Sequence, residues 1–544
     1  FSVIDATAEL SPDRKSFYVS FTVHEGARYR VGTVRVTSDI RGATPDLVHT
    51  YLTVRKGQWY DGDEVQRDAD GMQDLLQVKG FPFAECKPQI GRNEAEHVVD
   101  LIFPLTNGPR VYVERIEING NTRTQDRVIR REFSFAEGDP FTENQVRRTK
   151  QSLTNLGYFE TANIDQTPGS SPDKTVVNAD LAEKATGQLT LGGGYSTDAG
   201  ALANAGIEQK NFIGTGIDAS INGTLAQYEN QIDVSATDPY FLDRNLVAGI
   251  DVYRIANNYA ALGYANYDEV REGGTFRIGY AFNNYLSQSW NYTIVQRQVS
   301  QINSGSSIYV EAESGDSLLS QIGQTLSLDT RDSRVEPHKG FILRLGEDVS
   351  GLGGNEKYLR SKLDGGYYIP LDYLSGNRNW TILERAGAGY LADYGSGRKS
   401  LIDNFYLGGD TLRGFLDGGV GPHSIPVSQP GDVFPAADSL GGRFIYTEST
   451  ELHFPLPLPA DLGISGRAFV DVGGLSGIRT NAKEFNVQAI QGISGDTLSP
   501  RIGAGVGVSW KSPFGLINID VAAPVKKQNL DQTQVFRFGF GTNF

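Results

Sequence analysis

Val535-Phe536-Arg537-Phe538-Gly539-Phe540-Gly541-Thr542-Asn543-Phe544 closes the chain. Phe536, Phe538, Phe540 and Phe544 share one parity, and Arg537, Gly539 and Gly541 hold the other. Alternate side chains of a strand point to opposite faces, so one face here is aromatic and the other small or charged. The pattern recurs over the last two-thirds of the chain. Phe276, Ile278, Tyr280 and Phe282 alternate with Thr275, Arg277, Gly279 and Ala281. Ile502, Ala504, Val506, Val508 and Trp510 alternate with Arg501, Gly503, Gly505, Gly507 and Ser509, and Ile517, Ile519 and Val521 with Asn518 and Asp520. Arg, Asp and Asn on the inner face of a soluble sheet are costly. They are unremarkable where that face lines a hydrated lumen and the greasy face meets lipid.

Composition points the same way. Apolar residues make up 39% and charged residues 21%, and no run of 18 apolar residues reads as a spanning helix. A strand wall needs no such run, since only every second residue faces lipid. The chain is rich in Gly (64), Tyr (25) and Phe (27). Its net charge of −15 argues against nucleic acid as a partner. The single cysteine, Cys86, permits no internal disulfide and reads as a small buried hydrophobe. There is no Gly-x-x-x-x-Gly-Lys phosphate loop, no His-Glu-x-x-His helix and no Gly-x-Ser-x-Gly elbow. The six histidines, at 24, 49, 97, 338, 423 and 453, lack metal-ligand spacing. The expectation is a protein that is not an enzyme, with no cofactor and no metal.

Counting alternating segments from Gly187 onward predicts sixteen strands, centred near residues 191, 205, 220, 233, 250, 278, 294, 325, 345, 363, 385, 448, 468, 505, 518 and 540. An even count fits a bacterial barrel. One connection is anomalously long: a loop is expected at 391–441, folded inward and carrying Leu407-Gly408-Gly409-Asp410-Thr411-Leu412-Arg413-Gly414-Phe415. Arg413 would need acidic partners on inward strand positions. Glu451 is opposite in parity to Leu452 and Phe454, and Asp471 to Val470 and Val472, so both should point inward.

The first third repeats itself. Gly26-Ala27-Arg28 followed by Val31, Val34 and Val36 matches Gly108-Pro109-Arg110 followed by Val113, Ile116 and Ile118 at an offset of 82. Asp61 and Thr142 are N-cap candidates for helices ending near Gly80 and Gly157. In the second helix Val146, Thr149, Leu153 and Leu156 give an apolar stripe. Each unit reads strand, helix, helix, strand, strand. Residues 1–26 match only the closing hairpin of such a unit, which predicts at least one further unit before residue 1.

These units resemble POTRA domains, the periplasmic modules of outer-membrane assembly factors. The loop motif resembles the Val-Arg-Gly-Phe signature of the BamA family of β-barrel assembly factors, with Leu412 in place of the valine. Asp329-Thr330-Arg331-Asp332 with Pro337-His338-Lys339-Gly340-Phe341 is similar to that family's strand-turn-strand signature. Phe212–Gly216, Asp238–Phe241, Phe469–Gly473 and Ser512–Gly515 are similar to its early and late barrel motifs. The resemblance covers nearly the whole chain. It implies α+β POTRA repeats at 27–108 and 109–184, followed by an all-β sixteen-stranded antiparallel transmembrane barrel over 187–544.

What the resemblance implies for function is assembly and insertion of barrel proteins into the bacterial outer membrane, without a nucleotide, with the POTRA units in the periplasm. Implied partners are unfolded outer-membrane proteins, periplasmic chaperones, accessory assembly lipoproteins and outer-membrane lipid. Arg413, Gly414, Phe415, Glu451 and Asp471 correspond to the family's loop anchor. The first strand (Leu189, Leu191, Gly192, Gly193, Gly194) and the last (Phe538, Gly539, Phe540, Gly541) correspond to its lateral gate. Glycines weaken strand order and leave few side-chain pairs, so this seam should open easily. Phe536, Phe538, Phe540 and Phe544 resemble the C-terminal recognition signal of barrel substrates, and also suit interfacial anchors. A TamA-like translocation assembly factor and a two-partner secretion pore are the alternatives. A passive porin is disfavoured by the repeats and by a loop that fills the lumen.

Overall fold

The computed structural model describes residues 2–10, 17–24, 27–81, 83–108, 110–196, 200–258, 267–302, 306–334, 337–371, 380–425, 437–459, 462–480, 492–512 and 515–541. The chain divides into two compact units, 1–185 and 186–544.

In the first unit, Ser2–Leu10 and Phe17–His24 pair as an antiparallel hairpin. The first full repeat holds a sheet in which Arg30–Ser38 runs parallel to Val98–Asn107. Its long helix, Gly62–Val78, starts where the Asp61 carboxylate accepts from the Asp63 and Glu64 backbone amides. Val65, Ala69, Met72 and Leu76 recur every three or four residues, and that face is buried on the sheet residues Leu101, Phe103 and Leu105. One strand differs from the expected pattern. It is split into Ala84–Cys86 and Gln89–Asn93, with Pro88, which has no backbone N–H, at the break. Cys86 is buried, and burial, aided by the charge of Asp70, pushes its thiol up to about 12. It stays protonated at neutral pH, as a packing residue does.

The second repeat has the order strand, helix, helix, strand, strand. Tyr112–Asn119 runs parallel to Lys174–Glu183, which pairs antiparallel with Phe159–Pro168. The Thr142 hydroxyl caps Glu143–Leu156, and Gly157 ends the helix at φ +70°. Thr149 and Leu153 are fully buried, with Val146 and Leu156 packed at the margin. The helices of the two repeats are bridged by polar contacts: Asn144 to Asp74, Arg148 to Asp74, and Arg147 to Asp70 at 2.5 Å.

The second unit is a closed antiparallel barrel. Its strands are β1 (Gly187–Ser196), β2 (Gly200–Phe212), β3 (Ile217–Ala226), β4 (Glu229–Asp238), β5 (Val247–Asn258), β6 (Asp268–Ala281), β7 (Leu286–Ser300), β8 (Gly315–Asp329), β9 (Gly340–Ser350), β10 (Tyr358–Pro370), β11 (Thr381–Asp393), β12 (Phe444–Pro455), β13 (Ile464–Ser476), β14 (Thr497–Ser512), β15 (Gly515–Lys526) and β16 (Phe536–Gly541). Each of the sixteen expected centres falls in its own strand. The rim where β1 begins is called proximal below, and the opposite rim distal. The loop expected at 391–441 runs from 394 to 443, because Leu391 still bonds in the wall, its amide donating to the Arg443 carbonyl at 2.8 Å.

Parity sorts the side chains as lipid and lumen require. Ile221, Leu225, Ile250, Phe276, Val470 and Val506 stand exposed on the outside. Inside, Arg277 forks onto Asp251 at 2.6 and 2.8 Å, Arg360 meets Asp348 at 2.8 Å, and Arg467 meets Asp520 at 2.9 Å. Among the described residues no helix is long and apolar enough to cross a membrane. Near the distal rim a small core (Tyr309, Val310, Leu401, Leu440) gathers connecting segments over the barrel wall.

An outward position near mid-strand should tolerate no charge. Val506→Arg is expected to cost about 2–4 kcal/mol in a bilayer. Urea unfolding of the full chain in vesicles reads this directly, and an unchanged midpoint would contradict a lipid-facing placement.

Candidate functional site

The long loop turns back into the lumen, and Arg413 fixes it there. The Arg413 side chain is 5% exposed. Its Nε and one terminal nitrogen each donate to the Asp471 carboxylate at 2.8 Å, and its own backbone amide donates to the same carboxylate at 3.0 Å. The other terminal nitrogen reaches Glu451 at 2.5 Å. Ser449 supports Asp471 through a 2.7 Å bond, and the guanidinium lies 3.4 Å above the Phe469 ring. A planar fork, an opposed carboxylate and an aromatic face suit Arg and not Lys. Glu451 also meets His453 at 2.7 Å, and Arg467 joins Asp520 to the cluster. The charges compensate one another, as groups taken out of water must.

Gly414 and Phe415 complete the anchor differently. Gly414 sits at φ +96°, and an added Cβ would lie 3.2 Å from the Ala523 backbone. Both constraints require glycine. Phe415 is fully buried with Leu407, Leu412, Val420 and Leu475. Leu412, where the family motif has valine, fills the same core. The lumen wall is cut to fit as well: a Cβ on Gly503 would overlap the Arg413 carbonyl oxygen.

A second attachment was not visible in the sequence. Gly414 and Phe415 pair as a short ribbon with Gln534 and Thr533, the residues leading into β16. The Leu416 amide donates to the Gln532 carbonyl at 3.0 Å, and the Gln532 amide to the Gly419 carbonyl at 2.8 Å. Arg501, fully buried on β14, reaches Asp531 at 3.2 Å and the Gln528 side chain at 2.8 Å. Arg537 of β16 pairs with Asp410 of the loop at 3.1 Å. Arg501 stood out by parity as an inward arginine, yet no spacing rule points to a partner thirty residues on.

The seam between β1 and β16 is short. β1 pairs with β2 at ten positions, from Gly187–Gln209 to Ser196–Gly200, and β16 with β15 at six. Among the described residues β1 and β16 pair at two, Tyr195–Phe540 and Ser196–Gly539. Among the described residues, Gly187–Gly194 have no strand partner on that side. Leu189 and Leu191 are 67% and 72% exposed there. Tyr195 lies near Phe538, ring centroids 6.2 Å apart. Phe540 is therefore opposite Tyr195, four residues along from Leu191. Gly192, Gly193 and Gly194 pair with β2 and have no partner toward β16 among the described residues, and Gly541 pairs with Leu516 of β15. Phe536 is exposed on the outer face. Phe544 lies outside the described residues.

With this geometry in place, comparison with known proteins gives a consistent result. The Omp85 superfamily domain matches residues 211–544, and POTRA, described as a surface antigen variable number repeat, matches 29–108 and 111–184. An outer membrane protein assembly factor, BamA of Neisseria meningitidis serogroup B, is 26% identical over 578 residues, covering all of this chain and 70% of that protein. A crystal structure of BamA from Haemophilus ducreyi lacking POTRA domains 1–3 is similar at a TM-score of 0.72 and 24% identity, covering 95% of this chain and all of that one. CdiB from Escherichia coli shares the fold at a TM-score of 0.51 and 13% identity, over 95% of this chain and 91% of its own.

Arg413→Ala would leave Asp471 and Glu451 buried without their cation, a change that costs about 3–5 kcal/mol when a buried pair is broken. The loop should then open to protease in an otherwise folded barrel, read by limited proteolysis and intact mass. Gly503→Ala should release it too, with Arg413 present. Unchanged protection in both variants would remove the anchor role.

Proposed function

The chain belongs to the Omp85 superfamily, and on that premise we propose that it assembles and inserts β-barrel proteins in the bacterial outer membrane through a gate between β1 and β16. The observation that carries the reading is the seam, which among the described residues holds two pairs beside ten on the other edge of β1. An edge with free backbone donors and acceptors can pair with an incoming strand. The client's first strand adds to β1, and each further hairpin adds to the one before. No nucleotide enters. The driving force is the client's own strand pairing and burial in lipid, and the protein lowers the barrier by supplying the first template.

The POTRA units lie in the periplasm. Their edge strands, among them Arg30–Ser38 and Tyr112–Asn119, present backbone to unfolded clients handed on by chaperones and to accessory lipoproteins. The terminal aromatics Phe536, Phe538, Phe540 and Phe544 mark the protein as a client of the same route. An export pore needs a clear lumen, and here the loop is bonded across the inner wall through Arg413. The CdiB likeness extends to fold alone and favours no such activity.

A cysteine pair at Tyr195 and Phe540 tests the gate in the register the strands adopt. Oxidised Y195C/F540C protein, as the full chain in vesicles, should lose client insertion and regain it on reduction. A control pair in a ladder remote from the seam, V234C/V252C, should leave insertion unchanged when oxidised. Full insertion by the fully oxidised seam variant would end the gate reading. Depletion in cells separates the remaining options: loss of many barrel proteins at once fits general assembly, and loss of one exported polypeptide fits a dedicated pore.

A further inference from the structure

The outer wall from β9 to β12 has a notch that a lipid-facing sheet does not need. Cross-strand register puts Leu343, Gly365, Ala386 and Glu448 in one row across four strands. The row on one side is Phe341, Tyr367, Glu384 and Thr450, and on the other Leu345, Leu363, Ala388 and Tyr446. All twelve share the outward parity of the exposed Leu343, Leu363, Tyr367 and Tyr390. Gly365, Ala386 and Ala388 form a low floor. Leu343, Leu363 and Tyr367 wall it on one side, and Glu384 and Glu448 on the other. The groove so formed has a volume of about 550 Å³.

Two carboxylates on this surface are the anomaly. The Thr450 hydroxyl lies 2.8 Å from a Glu384 oxygen and 3.0 Å from a Glu448 oxygen. A hydroxyl has one proton and cannot satisfy both. Arg385, the nearest arginine in sequence, has the opposite parity and faces the lumen. Among the described residues no cation pairs with either glutamate. A carboxylate turned toward hydrocarbon needs donors, and among the described residues this face supplies the pair with the Thr450 hydroxyl alone. Glu384 is three residues above the start of β11, roughly 8 Å above the proximal rim for a tilted strand. The groove therefore opens in the leaflet on the proximal side, where headgroup and upper acyl chain meet.

We propose that this groove binds an aminophospholipid of the phosphatidylethanolamine class, its ammonium held between Glu384 and Glu448 and an acyl chain laid along Gly365, Ala386 and Ala388. A primary ammonium brings three N–H donors and a positive charge to two carboxylates and a hydroxyl. A choline headgroup carries charge without donors, and a glycerol headgroup carries no cation. The site is on the far side of the wall from the Arg413 cluster and does not depend on the gate.

Native mass spectrometry of the full chain released from nanodiscs of equal phosphatidylethanolamine and phosphatidylglycerol tests this. The expected result is retained phosphatidylethanolamine, reduced about tenfold in E384Q/E448Q as charge-assisted bonds are lost, with phosphatidylglycerol retention unchanged. Ala386→Leu, which fills the floor and leaves both carboxylates, should lower it too. Discs in which phosphatidylcholine replaces phosphatidylethanolamine should show no retained zwitterionic lipid. Equal retention of the two zwitterionic lipids, or undiminished retention in E384Q/E448Q and Ala386→Leu proteins that still shift with heat on gels, would overturn the proposal.

Discussion

A sheet in hydrocarbon has to close, because an unpaired backbone amide there costs several kcal/mol. Every other line of contact in this barrel meets that demand with six or more pairs, up to fourteen between β6 and β7. Among the described residues the line between β1 and β16 meets it with two. The weakness is confined to one line and falls where the first and last strands join. That is the one place where a barrel can be widened without breaking a covalent connection, so the location of the deficit bears on function more than its size.

A weak seam raises the question of what holds β16. The lumen loop supplies the answer. The segment before β16 is bonded to Gly414–Gly419 by backbone hydrogen bonds, clamped by Arg501 through Asp531, and continued by the Arg537–Asp410 pair. Arg413 in turn fixes the loop to β12 and β13. The distal part of the last strand is thus anchored through the lumen to the wall next to the loop's own strand, while its edge toward β1 stays nearly free. Stability and openness are assigned to different faces of one strand. Loss of Arg413 would loosen both the plug and the mooring of β16, which gives one arginine influence over a seam it does not touch.

Parity was enough to find the strands and to point Glu451 and Asp471 inward, because a two-residue period leaves each side chain only two directions. The Arg413 partners followed once the loop was taken to fold inward. Register was a different matter. It depends on how sixteen ladders accumulate their stagger around the barrel, and no local signal encodes it. The first and last strands could therefore be named as neighbours, but their register, with Tyr195 opposite Phe540, could not. The Arg501 clamp was hidden for the same reason: its partner lies on an irregular segment with no period to read. In the first repeat the split strand was written in Pro88, whose missing donor was there to be weighed.

Glycine frequency alone says little, because glycines here serve two unlike ends. Gly414 needs its positive φ, and Gly503 needs the absence of a Cβ to let the Arg413 backbone approach. Gly193 needs neither. A Cβ there would meet the Leu202 carbonyl at 3.5 Å, an ordinary contact, and its φ is not positive. Gly193 shares the outward parity of the exposed Leu189, Leu191 and Tyr195, so lumen crowding does not bear on it. What glycine changes at that position is the order of the strand and the side-chain pairing across its edge. A position that tolerates a larger residue, on an edge that lacks a partner among the described residues, is what the proposed gate requires.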